Sequence, residues 1–261
     1  MNTFGLPAAT ASALHATLRR ARTMVVFTGA GASAESGVPT FRDAQVGLWE
    51  RFTAEDLATP EAFRRHPAIV WGWYEWRRQL VSRAQPNAGH LAVTQWARSA
   101  DLTVVTQNVD DLHERAGSDG VIHLHGSLFA ARCFECSRPH DLPLIEAHSS
   151  EVRYEIDPPR CAHCSGLVRP GVVWFGEALP KKEWSDAEEI CERADLLICV
   201  GTSGLVYPAA SLPEIASRRG AIIVEINPNP TGLEAIADFS VMGSAGVILP
   251  RIVAAATASN Q

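Results

Sequence analysis

The chain lacks any stretch approaching the ~20 consecutive apolar residues that a membrane-crossing helix requires. Its apolar runs at 195–200 (DLLICV) and 221–226 (AIIVEI) are short and β-branched, which marks buried strands. A basic excess is missing too. The 23 Lys plus Arg against 29 Asp plus Glu leave a formal net charge of −6, the wrong sign for a surface that displaces counterions from nucleic-acid phosphates. Neither nucleic acid nor a membrane is therefore an expected partner. Internal repeats and low-complexity tracts are absent, and 46% hydrophobic residues suffice to bury a full core across 261 residues. No acidic residue occurs before Glu35, whereas Arg19, Arg20 and Arg22 do, a composition common to transit peptides and to helices whose last turn carries cations. The helix is the expected reading, because Leu14, Leu18 and Ala21 fall on one face and TMVVFTGAG follows without a cleavable linker. With no apolar core after a basic start, no export signal is expected, and the expected location is cytoplasmic.

Short apolar runs flanked by turn residues recur at 23–28, 102–106, 121–124, 195–200 and 221–226, with helical spacing at 62–84, 88–99, 183–193 and 208–219. Alternating strands and helices, the strands apolar on both faces, predict an α/β fold: a doubly wound, Rossmann-like parallel sheet covered by helices. Two segments interrupt the alternation. One, 42–87, is helical and rich in aromatics; the other, 127–170, has few apolar periods and holds paired cysteines. The predicted organisation is a large domain from 1–41, 88–126 and 171–261, with a small domain assembled from the insertions 42–87 and 127–170.

Several groups of residues carry chemistry. Gly29-Ala30-Gly31-Ala32-Ser33-Ala34 follows the first strand as G-x-G-x-x-A; where Cβ atoms are missing, a pyrophosphate can approach backbone amides and a helix N-terminus. The match departs from the usual dinucleotide fingerprint, since no acidic residue about 20 positions later ends a second strand. Instead Pro39-Thr40-Phe41-Arg42-Asp43 leads into a loop, with Arg42 placed to reach a phosphate; the alternative is a tight turn that packs a helix on the sheet. Thr106-Gln107-Asn108-Val109-Asp110-Asp111 follows the strand LTVV, at the end where open α/β sheets take ligands, although Asn and Asp serve equally as helix caps. His123 and His125 sit at another strand end, and His125 ahead of Gly126 reads as an imidazole available for proton transfer near neutral pH. Cys133-x-x-Cys136 and, 24 residues on, Cys161-x-x-Cys164 supply four thiolates for one tetrahedral, structural zinc with no open position. Two disulfides are the alternative. Cys191 and Cys199 read as buried thiols. The apolar run in RPGVVWFGE (169–177) is either a core strand or an edge that accepts a peptide. Gly201-Thr202-Ser203-Gly204 and Ile226-Asn227-Pro228 end two further strands and add small polar groups to the same crevice.

In this order, GAGASAESGVPTFRD, TQNVDDLHERAG, HLHGS, the paired Cys-x-x-Cys, RPGVVWFGE, GTSGLVYPA and INPNP closely resemble the sirtuin family of NAD-dependent protein-lysine deacylases, over about residues 10–256. The resemblance implies a Rossmann-like domain and a small zinc domain, with NAD and an acyl-lysine protein or peptide entering between them. It implies that Gly29, Ala30, Gly31, Ala34, Thr40, Phe41 and Arg42 belong to a loop folding over NAD, and that Gln107, Asn108 and Asp110 line the ribose and nicotinamide pocket. Gly201, Thr202 and Ser203 would meet phosphate and ribose, and Asn227 and Ala245 the adenosine end. His125 matches the family's general base, with Asn108 and Asp110 nearest by position to the reacting centre. Val173, Trp174, Phe175 and Gly176 match one of two segments flanking the peptide; Gly204, Leu205 and Val206 match the other. The implied reaction transfers the acyl group to the ribose of NAD, giving nicotinamide, O-acyl-ADP-ribose and free lysine.

Tyr74 and Arg77, at i and i+3 on one helical face, resemble the pair of those sirtuins that act on succinyl, malonyl or glutaryl groups. A guanidinium fork binds a carboxylate bidentately and a phenol adds a hydrogen bond. The alternative leaves both on an amphipathic helix surface while Trp71, Trp73 and Trp76 pack. Two rival activities remain: ADP-ribosyl transfer, which shares the first step, and a catalytically silent NAD-sensing module, against which a base at His125 argues.

Overall fold

Period-two alternation sends Met24 and Val26 of strand β1 (Thr23–Thr28) to one face and Val25 and Phe27 to the other, and all four are buried. A strand apolar on both sides belongs inside a covered sheet. The computed structural model, which describes residues 4–40, 53–143 and 155–258, puts it there. With β2 (Asp101–Thr106), β3 (Ile122–His123), β6 (Leu196–Val200), β7 (Ile222–Asn227) and β8 (Phe239–Met242), it forms a parallel sheet in the order β3-β2-β1-β6-β7-β8. Helices α1 (Ala8–Arg20), α6 (Ala88–Ala97) and α10 (Ala245–Thr257) bring Leu14, Leu18, Val93, Trp96, Ile248 and Ile252 onto one face. On the other, α8 (Lys181–Arg193) and α9 (Leu212–Arg218) bring Ala187, Cys191, Leu212 and Ala216 against Phe27, Leu197 and Cys199. The α/β, doubly wound expectation holds.

Short α2 (Gly31–Ala34) and α7 (Leu112–Arg115) follow β1 and β2, while α3 (Ala54–Leu57), α4 (Pro60–Arg65) and α5 (Pro67–Arg83) precede α6. A separate antiparallel pair, β4 (Gly126–Cys133) with β5 (Val168–Val172), packs with α4 and α5 around Phe63, Val70, Trp73, Tyr74, Leu128, Val172 and Trp174. Among the described residues no helix is long and apolar enough to cross a membrane.

Several boundaries differ from the sequence expectation. The periodic stretch 62–84 is two helices, because Pro67 opens α5 and His66 before it takes φ −138°; proline has no N–H to give and crowds its predecessor out of helical geometry. The run at 121–124 contributes only Ile122 and His123 to the sheet. Strand β8, four residues long and only partly buried, carries too weak a pattern to be read. Phe41 and Arg42 lie outside the described residues.

Candidate active site

The strand order turns back at β1 and β6, and their carboxyl ends open the crevice where such sheets take ligands. Three glycines weld these ends together. Gly29 N donates to the Val200 carbonyl at 3.0 Å and Gly31 N to the Gly201 carbonyl at 2.9 Å. A Cβ on Gly201, whose φ is +59°, would sit 2.3 Å from Ala32 N, and one on Gly31 would sit 2.8 Å from the Gly201 Cα; no side chain fits. Around this weld, Gln107 Nε2 donates to Thr202 Oγ1 at 2.8 Å and Asn227 Nδ2 to the Thr202 carbonyl at 3.0 Å, tying the ends of β2, β6 and β7. Ser203 is half-buried beside them. Ala30 is half-buried, Ala34 exposed and Thr40 half-buried along the segment that leaves the crevice. Ala245 opens α10, where Glu35 accepts hydrogen bonds from Ser244 Oγ (2.8 Å) and Gly246 N (2.6 Å).

The TQNVDD segment serves both of its readings at once. Asp110 Oδ1 accepts from Leu112 N at 3.2 Å, as a helix cap does, while Oδ2 accepts from Ser33 Oγ at 2.9 Å. Asn108 Nδ2 donates to the same Ser33 Oγ at 3.1 Å. Ser33, buried within GASA, is the hub between two predicted site residues, and nothing in a small residue on a glycine-rich turn marks it as such in the sequence. Burial raises the Asp110 carboxyl above its ordinary range, against opposing hydrogen bonds from Leu112 N and Ser33. Beneath lies a buried relay: Thr28 Oγ1 donates to Thr106 Oγ1 (2.8 Å), so its oxygen is free to accept from His113 Nε2 (3.2 Å). The His113 ring meets that of His90 edge-on, centroids 4.8 Å apart.

His125 Nδ1 lies 2.9 Å from the Gln107 carbonyl. A carbonyl only accepts, so Nδ1 carries the hydrogen and Nε2 the lone pair. Burial lowers the imidazole's pKa, the carbonyl contact opposing. Immediately after it, Gly126 takes φ +73°, and a Cβ there would lie 2.1 Å from the Gly171 carbonyl, so only glycine lets β4 start against β5 at this point. His123 has different partners, Glu114 Oε1 at 2.6 Å and the Asn108 carbonyl at 3.1 Å. Burial pulls its pKa down, but the Glu114 carboxylate outweighs that and raises it.

Cys133, at the end of β4, joins Cys136, Cys161 and Cys164, all four sulfurs lying within 4.8 Å of one another. The contacts Cys133–Cys164 (3.4 Å) and Cys136–Cys161 (3.8 Å) match the edges of a tetrahedron about 3.8 Å on a side, as four Zn–S bonds of about 2.3 Å demand. The cysteines are unbridged, so the disulfide alternative falls, and a complete four-thiolate set fits one structural zinc.

Tyr74 and Arg77 are buried, 4% and 5% exposed, and therefore do not form the outer surface of an amphipathic helix. The Arg77 guanidinium lies 5.2 Å from the Trp73 ring centroid. Burial lowers its pKa, the fields of Tyr74 and Asp110 opposing, and burial raises that of the Tyr74 phenol. Trp174 Nε1 donates to the Tyr74 hydroxyl at 3.0 Å. The apolar run 172–176 is neither a whole core strand nor a whole edge. β5 stops at Val172; Val173 N then donates to the His125 carbonyl (2.8 Å) and Phe175 N to the Ala58 carbonyl (2.9 Å). Trp174 is 1% exposed and Phe175 44%; Gly176 takes φ +84°. A pair unread in the sequence clamps this segment: Arg169 binds both carboxylate oxygens of Glu177 and stacks on Trp174, 3.4 Å from the ring centroid, while Glu177 Oε2 accepts from Trp174 N at 2.8 Å. Burial would raise the Glu177 carboxyl, but Arg169 and the Trp174 amide hold it below its ordinary range. Gly204 N meets Thr202 Oγ1 at 3.4 Å, and Leu205 and Val206 beyond it are exposed.

A model of the Sir2 family matches residues 29–208. The chain is 52% identical over 243 residues to an NAD-dependent protein deacylase of Methylococcus capsulatus, covering 93% of this chain and 95% of that protein. To an NAD-dependent protein deacylase of Mycobacterium tuberculosis it is 50% identical over 230 residues, 88% and 96% being covered. Among solved structures, a Sir2 homolog–NAD complex superposes with a TM-score of 0.86 at 47% identity, over 94% of this chain and 93% of that one. A Sir2–p53 peptide–NAD+ complex superposes with a TM-score of 0.78 at 30% identity, over 91% and 94%.

Proposed function

The chain belongs to the Sir2 family and is an NAD-dependent protein deacylase, and from that premise we propose that it removes acidic acyl groups, succinyl and its homologues, as well as acetyl, from lysine side chains. The observation that carries the acidic-acyl reading is the burial of Tyr74 and Arg77 together, with Tyr74 joined to Trp174 in the run 173–176. A guanidinium fork can bind a carboxylate bidentately, and a phenol one turn away on the same helix can add a hydrogen bond.

Bound NAD supplies an activated ribosyl carbon and the hydroxyls that receive the acyl group. The backbone of Gly29, Ala30 and Gly31, with Gln107, Gly201, Thr202, Ser203, Asn227 and Ala245, is proposed to hold it, joined by Ala34, Thr40, Phe41 and Arg42. Asn108 and Asp110, oriented through Ser33, are proposed to act at the reacting centre. His125 is the proposed general base, taking a proton at Nε2; the 2.9 Å Nδ1 contact to Gln107 supports that assignment by leaving Nε2 unprotonated. Val173 to Gly176 and Gly204 to Val206 are proposed to flank the substrate chain. Cys133, Cys136, Cys161 and Cys164 would hold the zinc, stapling the β4–β5 pair; four thiolates complete a tetrahedral shell, so the ion would be structural.

The division into a nucleotide-binding domain (1–41, 88–126, 171–261) and a small domain (42–87, 127–170) is part of this proposal, supported by the two-stranded β4–β5 sheet, which is distinct from the six-stranded one; the apolar cluster around Trp73 joins the two parts, since it also takes in Val38, Leu112, Val172 and Trp174. So is a cytoplasmic location, supported by six unbridged cysteines. Incubating the protein with NAD and matched acetyl- and succinyl-lysine peptides, followed by mass spectrometry, tests the activity. Release of nicotinamide with O-acyl-ADP-ribose is expected; transfer of ADP-ribose to protein, or bound NAD with both peptides intact, would sink the lysine-deacylase reading.

A further inference from the structure

We propose that Trp174 is a positioning residue for acyl selectivity, acting through the Tyr74 hydroxyl rather than on the substrate. The inference rests on the reading of Tyr74 and Arg77 as the acyl-carboxylate pair. An indole N–H has a hydrogen to give and no lone pair to receive one, so the 3.0 Å contact from Trp174 Nε1 to Tyr74 runs in one direction only. The phenol oxygen is thereby the acceptor, and its own hydrogen is turned toward a second partner. An acyl chain ending in a carboxylate is such a partner; an acetyl methyl is not. Arg77, one turn along α5, supplies the charge, so phenol and guanidinium address one carboxylate from neighbouring turns.

Trp174 is suited to this task because it cannot itself drift. Its amide is held by Glu177 Oε2, its ring lies under the Arg169 guanidinium, and the Phe63 and Phe134 rings close around it with centroids 5.4 and 6.2 Å away. A cation over the ring also draws electron density from the indole, which strengthens its N–H as a donor. Val173 and Phe175 on either side belong to the segment proposed to flank the peptide. One side chain thus ties the peptide segment to the acyl pocket.

The test compares kcat/KM for succinyl- and acetyl-lysine in one peptide, using wild type, W174F, Y74F, the W174F/Y74F double variant and R77M. W174F is expected to lower the succinyl-to-acetyl ratio about tenfold, the loss of one oriented hydrogen bond to a charged group, with the change in KM for the succinyl peptide. The double variant is expected to show the same ratio as Y74F alone, because the effect passes through that hydroxyl. A wild-type ratio in W174F, or ratios that multiply in the double variant, overturns the inference. Benzothienylalanine at position 174, which replaces the indole N–H by sulfur at nearly constant shape, is expected to reproduce the W174F shift and separates the hydrogen bond from ring volume; a wild-type ratio there also overturns it. R77M distinguishes the two levels: an unchanged ratio defeats the carboxylate-pocket reading itself, whereas a lowered ratio beside an unselective W174F defeats only the role of Trp174.

Discussion

Single contacts decide most of the chemistry. Because the Gln107 carbonyl fixes the His125 tautomer and burial lowers the imidazole's pKa below its ordinary 6.5, the proposed base is already deprotonated at neutral pH. The expected pH profile of kcat/KM therefore rises through a midpoint below 6.5 and is flat from there to neutrality. A midpoint above 7 would exclude His125 as the titrating group, and H125A is expected to lower turnover by at least ~100-fold in the same assay. R77M is expected to cost succinyl substrates about 10–100-fold more than acetyl ones, the worth of a charge-assisted pair; equal losses in steady-state kinetics would make the arginine structural. Polar residues at strand ends were legible as crevice residues because strands and turns have clear signatures. Ser33 was not, since its hydrogen bond to Asp110, 77 residues away, leaves no local pattern; Glu177 pairs with Arg169 only eight residues back, but across an irregular segment with no period to mark the pair.

The elements that carry these residues are held by two kinds of staple. At the β4–β5 pair it is the cysteine cluster, whose metal contributes folding energy directly. Stripping zinc with a chelator, or C161S, is expected to lower Tm by several degrees and to remove one zinc per chain by elemental analysis; an unchanged Tm at zero zinc would deny the ion its structural role. At the start of α6 it is Asn87, whose Oδ1 accepts from Gly89 N (2.9 Å) and His90 N while its Nδ2 donates to the Ala32 carbonyl (2.8 Å) and to Ser36. N87A thus loses a helix cap and the tether of α2 together, and a stability cost of ~1–2 kcal/mol by urea denaturation is expected. Element identity was readable from periodicity in most cases. Boundaries were not, as the break at Pro67 and the two-residue β3 show, because only tertiary pairing decides where a strand stops.

At the scale of the whole molecule, the buried His90–His113 pair links stability to acidity. Burial holds their pKa values at about 4 and about 3, the field of Glu35 opposing at His90 and the fields of His90 and His123 lowering His113 further. Both values lie below the ordinary 6.5, so the unfolded chain binds protons that the folded one refuses, and stability falls as pH drops from 6.5 toward 4. Each histidine contributes a slope of up to ~1.4 kcal/mol per pH unit in that window, while His123, raised by Glu114, works in the opposite sense. Urea midpoints at pH 7, 6 and 5 are expected to decline, and the H90N/H113N variant to decline less; a flat wild-type series would refute the linkage. The glycine weld between β1 and β6 has a consequence for synthesis. The register pairs Met24 with Leu196, so the first strand emerges from the ribosome long before the neighbour that completes its crevice. With NAD placed at this weld, as proposed, a fragment ending before Gly201 is expected to retain no cofactor, because the contacts of Gly29 and Gly31 to Val200 and Gly201 cannot form in it.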